Sequence, residues 1–136
     1  MIKNAQLFCI GRDCVEREFF LNATCERNGD LQVWVFSCPP QENGEFFYAA
    51  YSRIGEQRYR QTMIDNNGAE AYIEKGIPEV VLPFLVKTLS IVIESSPPTG
   101  GGPGVWQSSD GCKMWKRLAD SGIAKFDPVS GVYVVA

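Results

Sequence analysis

Phe19-Phe20-Leu21-Asn22-Ala23-Thr24-Cys25-Glu26-Arg27-Asn28-Gly29-Asp30-Leu31-Gln32-Val33-Trp34-Val35-Phe36 reads as two strands joined by a tight turn. Asn-Gly accepts the positive φ angles that a type I′ turn demands at both central residues. Asn28-Gly29 therefore predicts a two-residue hairpin, with Glu26 or Arg27 paired against Asp30 or Leu31. Side chains alternate across a strand, so Phe19, Leu21, Ala23 and Cys25 share one face, and Phe20, Asn22 and Thr24 the other. Leu31, Val33 and Val35 alternate in the same way with Gln32, Trp34 and Phe36. Both faces of this second strand are largely apolar, which places it inside a sheet rather than at its edge.

On the N-terminal side, Leu7-Phe8-Cys9-Ile10 is a short apolar run stopped by Gly11 and reads as a buried strand. Arg12 to Arg17 fits a loop or one helical turn. On the C-terminal side Pro39-Pro40 ends the second strand, because proline cannot donate to a ladder. Asn43-Gly44 then turns the chain into a strand over Glu45 to Tyr51, and Gln57 to Ile64 alternates as a further strand with one solvated face.

Beyond Asn66-Asn67-Gly68 the character changes. Ala69 to Lys75 is rich in helix formers, with Gly76 placed as a C-terminal cap, and predicts a short helix. Ile77, Val80, Val81, Phe84, Leu85 and Thr88 recur at helical spacing behind Pro78, which suits a first turn. Pro83 requires that this main helix either kink there or start later. Ile91-Val92-Ile93 reads as a buried strand and Ser95 to Gly104 as a Gly/Pro linker. A second helix carries Met114, Trp115 and Leu118 inward and Lys113, Lys116 and Arg117 outward, and Ile123–Phe126 and Val132–Val135 close as a hairpin. The expected class is α+β, a mainly antiparallel sheet in the order β-β-β-β-α-α-β-α-β-β, with the C-terminal helix packed on the main one.

At 136 residues, 45% of them hydrophobic and 21% charged, the chain matches a single domain over 1–136 that buries roughly two-thirds of its unfolded surface. Pro78, Glu79, Pro83 and Lys87 interrupt the most apolar stretch, which falls short of the ~20 apolar residues of a membrane span. No secretory cleavage pattern follows Met1. The expectation is a soluble, cytoplasmic protein without a membrane partner. The formal charge of −3 offers no overall field for phosphate backbones, so no nucleic-acid partner is expected.

With no histidine in the chain, Ser-His and Cys-His nucleophile pairs and histidine-held metals are excluded. Cys9, Cys14, Cys25, Cys38 and Cys112 are odd in number and lack a C-x-x-C pair. They read as reduced thiols holding no metal, with Cys9, Cys25 and Cys38 in the core. The Gly-rich loop lacks the lysine and spacing of a P-loop. Its Gly101 and Gly102, with neighbouring Trp106, form a candidate recognition surface. Arg53, Arg58, Arg60 and Lys75, interleaved with Tyr51, Tyr59 and Tyr72, suit an anionic or aromatic ligand, or else a solvated face balanced by Glu56, Asp65 and Glu70. Glu74, Glu79 and Glu94 flank the main helix as carboxylates that a cleft could use as bases.

Over Gln57 to Val135 the chain resembles the acetyl-CoA-dependent GNAT acyltransferases: a meander, a helix opening at Glu74-Lys75-Gly76-Ile77-Pro78, Ile91-Val92-Ile93, Met114-Trp115-Lys116-Arg117-Leu118 and a terminal hairpin. In that family an Arg/Gln-x-x-Gly-x-Gly/Ala turn offers backbone amides to the cofactor's pyrophosphate. The resemblance implies a degenerate cofactor site at Gly76 and Ile77, with Pro78 where the second small residue belongs. The family's tyrosine acid falls near Met114 or Trp115, neither of which can donate that proton. The residues support two expectations. One is a protein-binding, non-catalytic protein that uses no cofactor; the other is a degenerate acyltransferase using acetyl-CoA, with Glu74 or Glu79 as base.

Overall fold

The computed structural model describes residues 1–97 and 109–136. Five strands form an antiparallel meander: β1 (Ile2–Ile10), β2 (Glu16–Cys25), β3 (Leu31–Ser37), β4 (Phe47–Gly55) and β5 (Arg58–Asp65). Helix α1 (Ile77–Leu89) crosses over to β6 (Val92–Glu94), which lies parallel to β5. Helix α2 (Ser109–Asp120) leads to the hairpin of β7 (Lys125–Asp127) and β8 (Val132–Val135), and β8 inserts beside β6. The result is one eight-stranded sheet in the order β1-β2-β3-β4-β5-β6-β8-β7. α1 touches β1 at one end of this order and both β6 and β8 near the other, so the sheet curls around the helix. No helix among the described residues is long and apolar enough to cross a membrane.

The α+β class and the mainly antiparallel sheet are as expected, but the element order differs. Five strands precede the first helix, each matching a strand-like run, where the expected order counts four by leaving out Leu7 to Ile10, and one helix stands where two were expected. Ala69 to Lys75 makes a single turn, in which the amides of Tyr72 and Ile73 both donate to the Ala69 carbonyl at 2.9 and 3.1 Å. Glu74 at φ 55° and Gly76 at φ 76° then leave helical space. Starting a helix is costly and its gain comes only with length. Tertiary bonds decide this segment instead: buried Tyr72 accepts from the Ser37 amide at 3.1 Å and donates to the Glu45 carbonyl at 2.8 Å. The turn is thereby fastened to the chain between β3 and β4.

α1 starts at Ile77 and runs on through Pro83 to Leu89, so the late start did not occur. Pro83 leaves the Glu79 carbonyl without its i+4 donor. The compensation is burial of Ile77, Val81, Leu82 and Leu85 against the sheet, each such side chain contributing ~1.5–3 kcal/mol. The facing layer is the alternating set Phe19, Leu21, Ala23, Leu31, Val33, Val35, Phe47, Ala49 and Tyr51, all buried. The opposite face keeps Phe20, Trp34, Phe36 and Tyr48 half-buried. There Trp34 packs on Tyr48 with ring centroids 5.7 Å apart, and Phe36 on Phe46 at 5.9 Å.

None of the five cysteines is bonded to another. Cys9 is a core thiol, pushed up to about 12 by burial, with a smaller effect from the charge of Glu79. Cys25 and Cys38 are exposed, against expectation. They are strand-end residues, Cys25 closing β2 at the turn and Cys38 following β3 before Pro39, so the alternation that buries their strands no longer covers them.

The β2–β3 turn also corrects its expectation. The Glu26 amide donates to the Asp30 carbonyl at 2.7 Å, and the Gly29 amide to the Glu26 carbonyl at 3.0 Å. Gly29 takes φ 91° while Asn28 keeps a negative φ. The loop is therefore a three-residue turn with one left-handed residue rather than a type I′ pair. Asn28 contributes by accepting from the Asp30 amide at 3.0 Å. Gly29→Val should lower stability by roughly 1–2 kcal/mol, since a β-branched residue resists the left-handed region. Denaturant unfolding measures this, and an unchanged midpoint would contradict the turn geometry.

Candidate functional site

β5 and β6 pair only over Arg58↔Val92, Tyr59↔Ile93 and Arg60↔Glu94, after which β6 ends while β5 continues to Asp65. The short pairing is pinned by side chains. Arg58 donates to Glu94 Oε2 through Nε and Nη2 at 2.9 and 2.7 Å, and Arg60 donates to Oε1 at 3.2 and 3.0 Å. Immediately beyond, the Ser96 hydroxyl donates to the Gln61 carbonyl at 2.8 Å. Further along β5, on the side away from β4, no described strand continues β6, and a cleft of about 630 Å3 opens around Ile64 and Asp65. Phe47, Ile64 and Asp65 come from the sheet, Tyr72 to Gly76 and Pro78 form the wall at the start of α1, and Gly111, Lys113, Met114 and Arg117 line it from α2.

The sequence places these walls for separate reasons. The Tyr72 anchor holds the turn leading into α1, and burial of Met114, Trp115 and Leu118 fixes which side of α2 meets the core. Four cations, Arg12, Lys75, Lys113 and Arg117, line the cleft against two acids, Asp65 and Glu74. Arg12 pairs with Glu74 at 2.7 Å and Arg117 with Glu79 at 2.7 Å. Lys75 and Lys113 form no ion pair among the described residues. No side chain caps the N-terminus of α1, whose partial positive charge adds to theirs. Such a cleft is suited to an anionic group rather than a cation. No cluster of three or more metal-ligating side chains stands among the described residues.

Gly76 lines this cleft as the N-cap of α1. A β-carbon there would overlap the carbonyl oxygen of Ile10, so glycine is required for the helix to meet β1. The Ile77 side chain is fully buried in the core, which leaves only its backbone to face a ligand. Glu74 lies in the cleft, bound to Arg12 through both its side chain and its carbonyl. Glu79 is held by Arg117. Glu94, buried and saturated by two arginines, lies outside the cleft lining. Met114 lines the cleft, whereas Trp115 is buried and stacked on Tyr133.

The basic and aromatic stretch does not assemble into one site. Arg58 and Arg60 hold Glu94, Tyr51 is buried, Arg53 packs by Gly29, and only Lys75 and the largely buried Tyr72 border the cleft. Trp106, Gly101 and Gly102 lie outside the described residues. Arg12 and Lys113 were not singled out by sequence reading as site residues, because no local motif links positions a hundred residues apart. A second cleft of about 560 Å3 lies across the 71–75 segment, lined by Arg17, Cys38, Gln41, Ala71 and Lys75 among others. Lys75 therefore borders both spaces. The chain matches no protein-family model and no curated protein sequence.

Gly76→Ala should cost roughly 2 kcal/mol or more, combining left-handed strain with a clash against the β1 backbone. Calorimetric melting of the purified variant measures it. A melt equal to that of the parent would show that the helix–strand approach is looser than described.

Proposed function

We propose that the chain binds an acyl-CoA-class ligand in the cleft between β5 and α2, as a degenerate relative of the GNAT-like acyltransferases it resembles. The observation that carries this reading is a three-residue parallel strand pair, with a cation-lined cleft at the carboxyl end of β5 and an uncapped helix end beside it. Ligands of open α/β sheets favour the carboxyl ends of parallel strands, next to the crossover. Lys75, Lys113 and the first turn of α1 would take the phosphates, and the apolar Phe47, Ile64 and Met114 the neutral remainder. The position expected for a tyrosine acid holds Met114 and Trp115, so the support extends to binding further than to transfer. Five free thiols, three of them exposed, favour a reducing compartment, the cytoplasm.

Titration with acetyl-CoA tests this. At 100 times the dissociation constant the ligand adds about 2.7 kcal/mol to stability, read as a rise in Tm. Lys75→Glu combined with Lys113→Glu should weaken binding at least tenfold, about 1.4 kcal/mol. No shift of the parent protein at millimolar acetyl-CoA would overturn the reading.

The outer sheet face favours a second reading, docking of a basic protein partner without catalysis. Trp34, Tyr48 and Phe36 are half-buried, Phe8 is 50% exposed, and Glu16 and Glu18 border them on the same face by register. A partner presenting apolar residues ringed by lysine or arginine complements this surface. Trp34→Ser with Tyr48→Ser should preserve the fold and abolish capture of such a partner. Retained capture by the folded variant would sink it.

A further inference from the structure

We infer that Tyr51 and Gln61 receive the buried end of the cleft's ligand, and that this end is an uncharged group of the amide or alcohol class. The inference rests on the acyl-CoA-class reading of the cleft. Among the described residues, two buried side-chain polar atoms lack a hydrogen-bond partner, Tyr51 Oη and Gln61 Oε1. They belong to directly opposed residues, since Tyr51 on β4 pairs with Gln61 on β5. Both are at least nine-tenths buried, at 1% and 6% exposure.

Their position separates them from ordinary packing faults. Other buried polar groups nearby are satisfied: Glu94 accepts four bonds, Ser95 Oγ accepts from the Tyr133 amide, and Ser96 Oγ donates to the Gln61 carbonyl. The deficit is confined to one cross-strand pair. The pair lies behind the cleft lining rather than in it, with Gln61 directly following Arg60, the last residue of β5 to pair with β6. It also lies on the face that forms the cleft floor. Ala49↔Ile64 is the next inward-facing pair along these strands, and Phe47 follows on β4; Ile64 and Phe47 both line the cleft.

The chemistry of the two atoms narrows the ligand. Gln61 Oε1 accepts and Tyr51 Oη can donate or accept, so a group that serves both must donate at least one hydrogen bond. A carboxylate cannot donate, and a carboxylate or an ammonium would be stranded in an apolar wall without a counter-ion. Uncharged amides and alcohols meet both requirements. The pair is closed to solvent, so insertion requires the wall to give, and Met114 is the apolar lining side chain with the most rotameric freedom. Two groups that are unsatisfied in the free protein and satisfied in the complex favour the bound state.

The experiment compares acetyl-CoA, which carries amides, with adenosine 3′,5′-bisphosphate, which carries two of its three phosphates and no amide. Calorimetric titration covers the parent, Tyr51→Phe and Gln61→Leu, with each variant's melt recorded first. Tyr51→Phe should melt higher than the parent, because it deletes an unpartnered buried hydroxyl, yet bind acetyl-CoA about tenfold more weakly. Adenosine 3′,5′-bisphosphate should bind the parent and both variants alike. Equal acetyl-CoA affinity in parent and variants would overturn this inference while leaving the cleft reading intact. Equal weakening of both probes would overturn it too, since the effect would then be indirect. Failure of the parent to bind acetyl-CoA would overturn both.

Discussion

Glu94 is the pin on which the second half of the molecule hangs. It is a carboxylate almost wholly withdrawn from water, with each oxygen held by a different guanidinium two residues apart on the neighbouring strand. A buried charge is tolerated only when its partners nearly saturate it, and here four donors do so. β6 is three residues long and could not hold its register on ladder bonds alone. With the pin in place, the parallel pairing, the α1 crossover that a parallel pair needs and the insertion of β8 all follow.

Patterns of period two were legible in the sequence because each strand states its own face. The inward set from Phe19 to Val35 came from alternation alone, and the C-terminal helix was equally plain from Met114, Trp115 and Leu118. What failed was decided at a distance. Ala69 to Lys75 has the composition of a helix, but the bonds of Tyr72 to residues 27 and 35 positions away outweigh that preference. Gly76 was read as the C-terminal cap of a short helix and, through the resemblance, as a cofactor-site glycine; in the fold it is the N-cap of α1 and lets a strand approach. Sequence shows that a side chain is absent but not what occupies the space.

The cleft was illegible for an electrostatic reason. Net charge averages over the whole surface, and a total of −3 argued against phosphate ligands. Arg12, Lys75 and the α2 pair Lys113 and Arg117 come from three separate segments and gather only when the sheet curls. A local field of one sign can sit inside a molecule of the other. Glu94 illustrates the reverse error. A carboxylate beside a helix looked available for catalysis, yet its charge is committed in full to two arginines.

The Tyr72 turn has one further consequence. Because this segment never winds into a helix, it stays thin enough to serve as a partition, with one space on either side and Lys75 bordering both. A single charge cannot neutralise two anions at once. The two spaces are therefore electrically linked through that residue: drawing its charge to one side withdraws it from the other.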